Sequence, residues 1–76
     1  MQQTSTTHNR YFLDELTSLI SEGYTVLFTA HTLGGGEFAK LRHEANGNVM
    51  EVIFRRAWLT LKKNNKIVKH YETKMY

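Results

Sequence analysis

The sequence predicts an α+β fold in which one N-terminal helix packs on a four-stranded antiparallel meander sheet. Two observations support this prediction. Apolar residues between positions 12 and 20 recur with the 3.6-residue period of a helix, whereas after Gly23 they alternate within short runs that end at Gly or Asn. A chain of 76 residues fits one small domain, so we expect a single α+β domain over residues 9–76 and a flexible polar tail over residues 1–8.

The helix is expected to run from about Arg10 to Glu22. Asn9 precedes it as a favourable N-cap, and Gly23 follows it at the C′ position, where a left-handed backbone ends many helices. Its apolar stripe consists of Phe12, Leu13, Leu16, Leu19 and Ile20.

Residues 24–33 (YTVLFTAHTL) are rich in β-branched and aromatic residues and predict the first strand. Apolar residues occupy its even positions: Tyr24, Val26, Phe28 and Ala30. Three glycines at positions 34–36 then break the pattern and indicate a flexible loop.

Residues 37–45 (EFAKLRHEA) fit two secondary structures. They could form a second short helix over residues 37–46, followed by only three strands, or a strand that points Ala39, Leu41 and His43 inward. A two-residue turn at Asn46-Gly47 favours the strand, because it gives one register with both a charge match and an apolar match. That register pairs Arg42 with Glu51 and Leu41 with Val52.

The third predicted strand starts at Val49 and changes its apolar face partway. Even-numbered residues are apolar up to Phe54, and odd-numbered residues are apolar from Ala57 onward. Because side chains along a strand alternate with a period of two, this change predicts a bulge or bend at Arg55-Arg56. A tight turn at Asn64-Asn65 then leads into the fourth strand. The expected pairs across that turn are Leu61 with Val68 and Trp58 with Tyr71.

The net charge of +3 is unevenly distributed. Residues 1–54 contain three basic and six acidic residues, whereas residues 55–76 contain seven basic residues and only one acid, Glu72. Such asymmetry indicates an acidic partner that meets the C-terminal hairpin, although cations also keep a small sheet soluble and protect its edge.

The composition excludes several classes of protein. The chain has no cysteine, and therefore neither disulfides nor thiolate chemistry, which is compatible with a cytoplasmic location. The opening residues lack the pattern of a signal peptide, and no apolar run is long enough to cross a membrane.

The sequence predicts no enzyme, no catalytic residue, no metal site and no cofactor. Its four histidines lack metal-ligand spacing, since His8 falls in the tail and the others fall in three different predicted strands. The serines have no positioned base beside them. The three consecutive glycines lack the Lys-Ser/Thr of a phosphate-binding loop.

A binding surface is the remaining candidate. Basic residues alternate with aromatic ones in the last third of the chain, which is typical of single-stranded nucleic-acid sites and of protein–protein hot spots. Trp58 could instead be part of the core beneath the helix. The predicted binding residues are Arg55, Arg56, Trp58, Lys62, Lys63, Lys66, Lys69 and Tyr71.

The helix followed by strands, with the step Gly23-Tyr24, resembles HicA-type toxins in outline. The Gly-Ser-His that such toxins carry before the second strand is absent here, because His31 is followed by Thr32-Leu33-Gly34. In build, the chain is also similar to small cysteine-free phage inhibitors, among them anti-CRISPR proteins.

Three functional hypotheses follow from these observations. The first is a non-enzymatic inhibitor that blocks an acidic or nucleic-acid-binding surface on a larger protein or nucleoprotein complex. The second is direct binding of RNA or single-stranded DNA through the basic hairpin. The third is a toxin-like RNase that depends on His31.

Overall fold

The structure, a computed structural model, describes residues 9–73, so the predicted tail over residues 1–8 lies outside the described residues. One helix precedes five strands, each hydrogen-bonded antiparallel to the next in chain order. The elements are α1 (Arg10–Ser21), β1 (Tyr24–His31), β2 (Glu37–His43), β3 (Val49–Arg55), β4 (Trp58–Lys63) and β5 (Lys66–Glu72). The α+β class and the meander are confirmed, but the prediction of four strands is wrong.

The helix begins and ends where its capping residues predict. The side chain of Asn9 accepts hydrogen bonds from the backbone N–H groups of Tyr11 and Phe12, at 2.9 and 3.3 Å, and so caps the N-terminus. At the other end, Gly23 adopts a φ of +105°, and its N–H donates to the carbonyl of Ile20.

The fifth strand arises because the predicted bent strand is a hairpin. Arg55 pairs with Trp58, and the two residues between them, Arg56 and Ala57, have φ values of +50° and +69°. Positive φ at both central positions is the geometry of a type I′ turn. The predicted bulge at Arg55-Arg56 is therefore wrong: the apolar face changes because the chain reverses, and β4 packs beside β3 rather than extending it.

Residues 37–43 form a strand, so the alternative of a second helix over residues 37–46 is wrong. Ala39 and Leu41 are fully buried, as the strand prediction requires. The predicted register, however, is displaced by two residues, because five residues (44–48) rather than two connect β2 to β3. The observed pairs are Arg42 with Val49, Leu41 with Met50, Lys40 with Glu51 and Ala39 with Val52.

Bulges interrupt the two edge strands. In β1, Val26 pairs with Leu41 but Phe28 pairs with Lys40, so Leu27 is an extra residue and the alternation reverses after it. Tyr24 and Phe28 therefore point to opposite faces, contrary to the uniform alternation of even positions in the sequence.

A second irregularity lies in β5, where Leu61 pairs with Lys69 and Lys62 with Ile67. The turn at Asn64-Asn65 is confirmed, with φ values of +51° and +71°, but the shift changes the pairs beyond it. The predicted pairs Leu61–Val68 and Trp58–Tyr71 are wrong, since Trp58 lies opposite Glu72 and Leu59 opposite Tyr71.

The core lies between α1 and one face of the sheet. The helix contributes Phe12 and Leu19, and alternate positions of the central strands contribute the remainder. The buried apolar side chains of the sheet are Tyr24, Ala39, Leu41, Met50, Val52, Phe54, Leu59 and Leu61. In the part of the chain that the structure describes, no second helix covers the opposite face.

Candidate functional site

The sheet face that points away from α1 is the candidate binding surface, and we call it the open face. Its side chains occupy the positions that alternate with the buried residues of the core, so the strand registers define its membership. The residues on the open face include Phe28, Phe38, Lys40, Arg42, Glu51, Ile53, Arg55, Trp58, Thr60, Lys62 and His70.

A row of side chains crosses the middle of the open face, and we call it the apolar row after the Phe and Ile side chains that form its larger part. Phe38, Ile53, Thr60 and His70 are successive partners on neighbouring strands. The row continues toward the β1 edge, where the ring of Phe28 lies 5.7 Å from that of Phe38, centroid to centroid, and is 51% exposed. Phe28, Phe38 and Ile53 thus form an apolar strip over β1, β2 and β3, and the row ends in the polar side chains of Thr60 and His70. Exposed apolar strips on a sheet are a feature of interaction surfaces.

Trp58 lies next to this row and contacts its last member, His70. Its indole ring stacks on the imidazole of His70, with the centroids 4.7 Å apart and the planes inclined by 7°. Nδ1 of His70 is 2.8 Å from Oγ1 of Thr60, so the imidazole is held in place. Since Trp58 remains 42% exposed, it belongs to the open face and not to the core beneath the helix.

A shallow depression surrounds the indole ring of Trp58. Its volume is about 470 Å³. Arg55 and Arg56 both line it, so an aromatic residue and two basic residues meet at one end of the open face. The lining residues are Ile53, Arg55, Arg56, Trp58, Thr60 and His70.

Charged residues border the apolar row, and both signs are present. Lys40, Glu51 and Lys62 are successive partners across three strands, which places an acid between two cations. A second acid, Glu72, lies opposite Trp58. Including Arg42 and Arg55, the open face carries four cations and two acids, a balance of +2.

The structure brings together some of the predicted binding residues and separates others. Arg55, Trp58 and Lys62 share the open face, and Arg56 lies in the turn beside them. Lys63 and Lys66 pair with each other at the turn at the opposite end of β4. Because Lys63 is also the partner of buried Met50, this pair follows the register of the helix side.

Lys69 and Tyr71 also lie on the helix side, where both contact Glu15 of α1. The hydroxyl of Tyr71 donates to the Glu15 carboxylate at 2.8 Å, and the ammonium of Lys69 lies 3.3 Å from the same oxygen. Burial, the hydrogen bond to Glu15 and the negative charges of Glu15 and Asp14 together raise the pKa of Tyr71 to about 12, with burial as the largest cause. These two predicted residues therefore fasten β5 to the helix.

Sequence reasoning missed several members of the open face. Phe28 was assigned to the same side as Tyr24, because no sequence signal marks the bulge at Leu27. Thr60 and His70 could have been found by alternation, since they occupy the positions between Leu59 and Leu61 and between Lys69 and Tyr71. The missed residues are Phe28, Phe38, Lys40, Arg42, Glu51, Ile53, Thr60 and His70.

The described histidines occupy three separate environments. His43 lies 2.9 Å from the carbonyl of Glu22 and accepts a hydrogen bond from Ala45, so it links the end of α1 to β2. His31 lies 4.0 Å from the buried carboxylate of Glu37, and His70 stacks on Trp58. Over residues 9–73, no group of three or more His, Cys, Asp or Glu side chains could hold a metal ion.

Within the same described range, no helix has the length and apolarity needed to span a membrane. Comparison of the chain with protein-family models, with curated protein sequences and with solved structures finds no match.

Proposed function

We propose that this protein is a non-enzymatic binding protein whose open face occupies an acidic or nucleic-acid-binding surface of a larger nucleic-acid-processing partner. The supporting observation is the one-sided construction of the fold. Over residues 9–73, one helix covers one face of a five-stranded sheet, and the other face carries the exposed rings of Phe28 and Trp58 together with several cations.

The exposed rings of the open face are suited to anchoring a protein partner. Phe28 and Trp58 are each about half exposed, and they lie at opposite ends of the apolar row. Large rings that become buried on association contribute most of the energy at protein interfaces, whereas the surrounding polar rim contributes mainly to selectivity. The two rings are therefore the expected anchors.

The mixed charge of the open face favours a protein partner over a bare polyanion. Glu51 separates Lys40 from Lys62, and Glu72 lies beside Trp58, so a continuous chain of phosphates would meet two carboxylates. A protein surface with several acids and an occasional base can match such a pattern residue by residue. The excess of cations would steer an acidic partner toward the face and accelerate association.

Two matched charge reversals test this assignment. The variant Arg55→Glu/Lys62→Glu changes two cations of the open face, and the variant Lys63→Glu/Lys66→Glu changes two cations that follow the register of the helix side; both alter the net charge by −4. The readout is quantitative mass spectrometry of proteins that copurify with the tagged protein from nuclease-treated cells.

We expect one partner to copurify with the wild-type protein and with the turn variant, and to be lost from the open-face variant. Equal loss from both variants would show that net charge alone governs binding. Loss from the turn variant only would place the interface on the helix side of the Asn64-Asn65 turn, away from the open face. Circular dichroism spectra of all three proteins verify that they are folded.

A second candidate function is direct binding of single-stranded nucleic acid, and the surroundings of Trp58 favour it. An indole on a sheet surface can stack on a base, at about 1–3 kcal/mol per base, while Arg55 and Arg56 neutralise phosphates. Titration with labelled oligonucleotides at increasing salt tests it. Affinity that falls steeply with salt and is lost in Trp58→Ala would support this function, whereas no binding at about 50–150 mM salt would exclude it.

A further inference from the structure

We infer that the β1–β2 loop (residues 32–36) extends the binding surface beyond the open face, and that Leu33 enters an apolar pocket on the partner protein with carboxylates at its rim. The inference rests on the proposed function, because the partner is the same larger protein. Three observations support it: the full exposure of Leu33, the hydrogen bonds that fix the loop, and the arginines beside it.

Leu33 is more exposed than any other large apolar side chain over residues 9–73. Its exposure is 109% of that of a free residue, whereas the other exposed apolar side chains in this range lie between 42% and 61%. No neighbouring atoms cover it, so Leu33 contributes nothing to the core. Its whole apolar surface is available to a partner.

A single exposed leucine is ordinary on a protein surface, but the loop that carries Leu33 is fixed by hydrogen bonds. The N–H of Thr32 donates to the carbonyl of Gly36 at 2.9 Å, and the N–H of Gly35 donates to the carbonyl of Thr32 at 3.1 Å. The hydroxyl of Thr32 also accepts the N–H of Gly36 at 2.8 Å. A loop held in one conformation loses little conformational entropy on binding, so Leu33 is preorganised for contact.

The loop is continuous with the Trp58 end of the open face. A Cβ atom on Gly36 would lie 3.2 Å from the carbonyl oxygen of Phe54 and 3.5 Å from Cγ of Arg55, so the loop packs against β3. Arg55 in turn pairs with Trp58. Since neighbouring strands are about 4.8 Å apart, the three steps from β1 to β4 place Thr32 about 14 Å from Trp58. An interface of about 800 Å² per partner is wide enough to include both.

Arg55 and Arg56 indicate the charge of the partner at this end of the sheet. Over residues 9–73, no carboxylate oxygen lies within 4.0 Å of either guanidinium, whereas Lys69 is bound to Glu15. Both arginines are therefore available to carboxylates of a partner, which a guanidinium can bind through two parallel hydrogen bonds. Residues 24–36 contain no acid that would repel those carboxylates.

A lipid bilayer would also accept an exposed leucine beside arginines, but the leucine is too small an anchor. Even a whole myristoyl chain gives only marginal membrane binding, and a leucine side chain has far fewer carbon atoms. An apolar pocket on a protein, by contrast, can bury one leucine completely. The observations therefore favour the protein partner.

Binding of the purified partner, the protein that copurifies with the wild type, tests the inference by isothermal titration calorimetry. The variant is Leu33→Ser, and the control is Ile20→Ser, a similar loss of apolar surface at a 53% exposed side chain in the last turn of α1. Leu33→Ser should weaken binding by about 10- to 100-fold, because a fully buried leucine is lost, and Ile20→Ser by less than about twofold. Circular dichroism verifies that both variants are folded.

Photocrosslinking identifies the surface that Leu33 meets. A benzophenone amino acid replaces Leu33 in one protein and Ile20 in the other, and mass spectrometry maps the crosslinks on the partner. The probe at position 33 should react with one apolar segment that Asp or Glu residues border, and the probe at position 20 should not react there.

The outcomes separate this inference from the proposed function. Full affinity of Leu33→Ser, together with loss of binding in Arg55→Glu/Lys62→Glu, would overturn the inference and leave the proposed function intact. Full affinity of Arg55→Glu/Lys62→Glu, or no copurifying protein, would overturn both. Cosedimentation of the wild type with vesicles of equimolar phosphatidylcholine and phosphatidylglycerol, if lost in Leu33→Ser, would overturn the inference because Leu33 would then insert into lipid.

Discussion

Replacement of Gly23 by alanine should be the most damaging of the glycine substitutions in this protein. Gly23 has a φ of +105°, a conformation that costs a residue with a Cβ about 1–2 kcal/mol. In addition, a Cβ atom at this position would lie 2.8 Å from Nε2 of His43, well inside van der Waals contact. Backbone strain and a steric clash with His43 therefore both lower the free energy of unfolding of Gly23→Ala.

The imidazole of His43 cannot easily move away, because both of its nitrogens are engaged. Nε2 lies 2.9 Å from the carbonyl of Glu22, and Nδ1 accepts the N–H of Ala45 at 3.1 Å, so Nε2 is the donating nitrogen. Displacing the ring would break the bond to Glu22, at a further cost of about 0.5–1.5 kcal/mol. Strain and the lost hydrogen bond together give a destabilisation of about 1.5–3.5 kcal/mol.

Thermal and urea unfolding of three alanine variants measure the two costs separately. For a domain of this size, 1 kcal/mol corresponds to about 6 °C, so Gly23→Ala should lower Tm by about 9–21 °C. Gly47→Ala has a positive φ of +74° but open space around its Cβ, and should show the strain alone. Gly34→Ala has neither feature and should stay within about 0.5 kcal/mol of the wild type.

A double-mutant cycle with His43→Ala isolates the contact. If the imidazole is the obstacle, Gly23→Ala should cost about 1 kcal/mol less in the His43→Ala background than in the wild type. Equal costs in both backgrounds, together with equal costs for Gly23→Ala and Gly47→Ala, would refute the role of His43 and leave only backbone strain.

Three further predictions concern single contacts. Ala57→Gly should stabilise the protein by about 0.5–1 kcal/mol in urea unfolding, because alanine occupies a φ of +69° in the β3–β4 turn; an unchanged midpoint would contradict this. The pKa of Tyr71 is raised above its usual 10.0 to about 12. The contribution of the Tyr71 hydroxyl to stability is therefore complete below pH 10 and is lost as pH rises through 12. A tyrosinate absorbance titration of the wild type should show one late transition that is missing in Tyr71→Phe. Glu37→Ala should lower the free energy of unfolding by about 1–3 kcal/mol, and Glu37→Gln by less. The reason is that the buried carboxylate of Glu37 accepts the N–H of the N-cap residue Asn9 at 2.8 Å. Equal unfolding midpoints for the two variants would count against this role.

The helix was predictable from sequence because its signals are local. Asn9 at the N-cap, Gly23 at C′ and the 3.6-residue period each act within a few residues, and the structure confirms all three. The turn at Asn64-Asn65 was predictable for the same reason, since asparagine tolerates positive φ.

The predicted number of strands was wrong because the β3–β4 turn consists of residues that do not favour its backbone geometry. Arg56-Ala57 adopts the same type I′ geometry as Asn64-Asn65, yet neither residue favours positive φ, so the sequence looked like a continuous strand with a shifted face. Tertiary pairing of Phe54 with Leu59 and Val52 with Leu61 overrides the local preference. The predicted registers of the β2–β3 and β4–β5 hairpins were wrong because bulges and loop lengths are properties of the assembled sheet.

The candidate site was predictable in composition but not in arrangement. A linear sequence shows that cations and aromatic residues alternate after position 55, but it does not show which of them face the helix. Lys69 and Tyr71 were assigned to binding, whereas their contacts with Glu15 give them a structural role. Alternation of even positions predicts Phe28 on the same side as Tyr24, and a single extra residue at Leu27 moves it to the open face.

Alternation along β4 separates stability from binding at the level of single residues. Leu59 and Leu61 are buried against the helix, while Trp58 and Thr60, one position away, lie on the open face. Substituting a buried leucine by alanine should cost about 2–5 kcal/mol, whereas truncating half-exposed Trp58 removes far less packing. A variant of the open face can therefore lose its partner and remain folded. This separation is what makes the functional proposal testable, because failure to bind and failure to fold would be caused by different residues of the same strand.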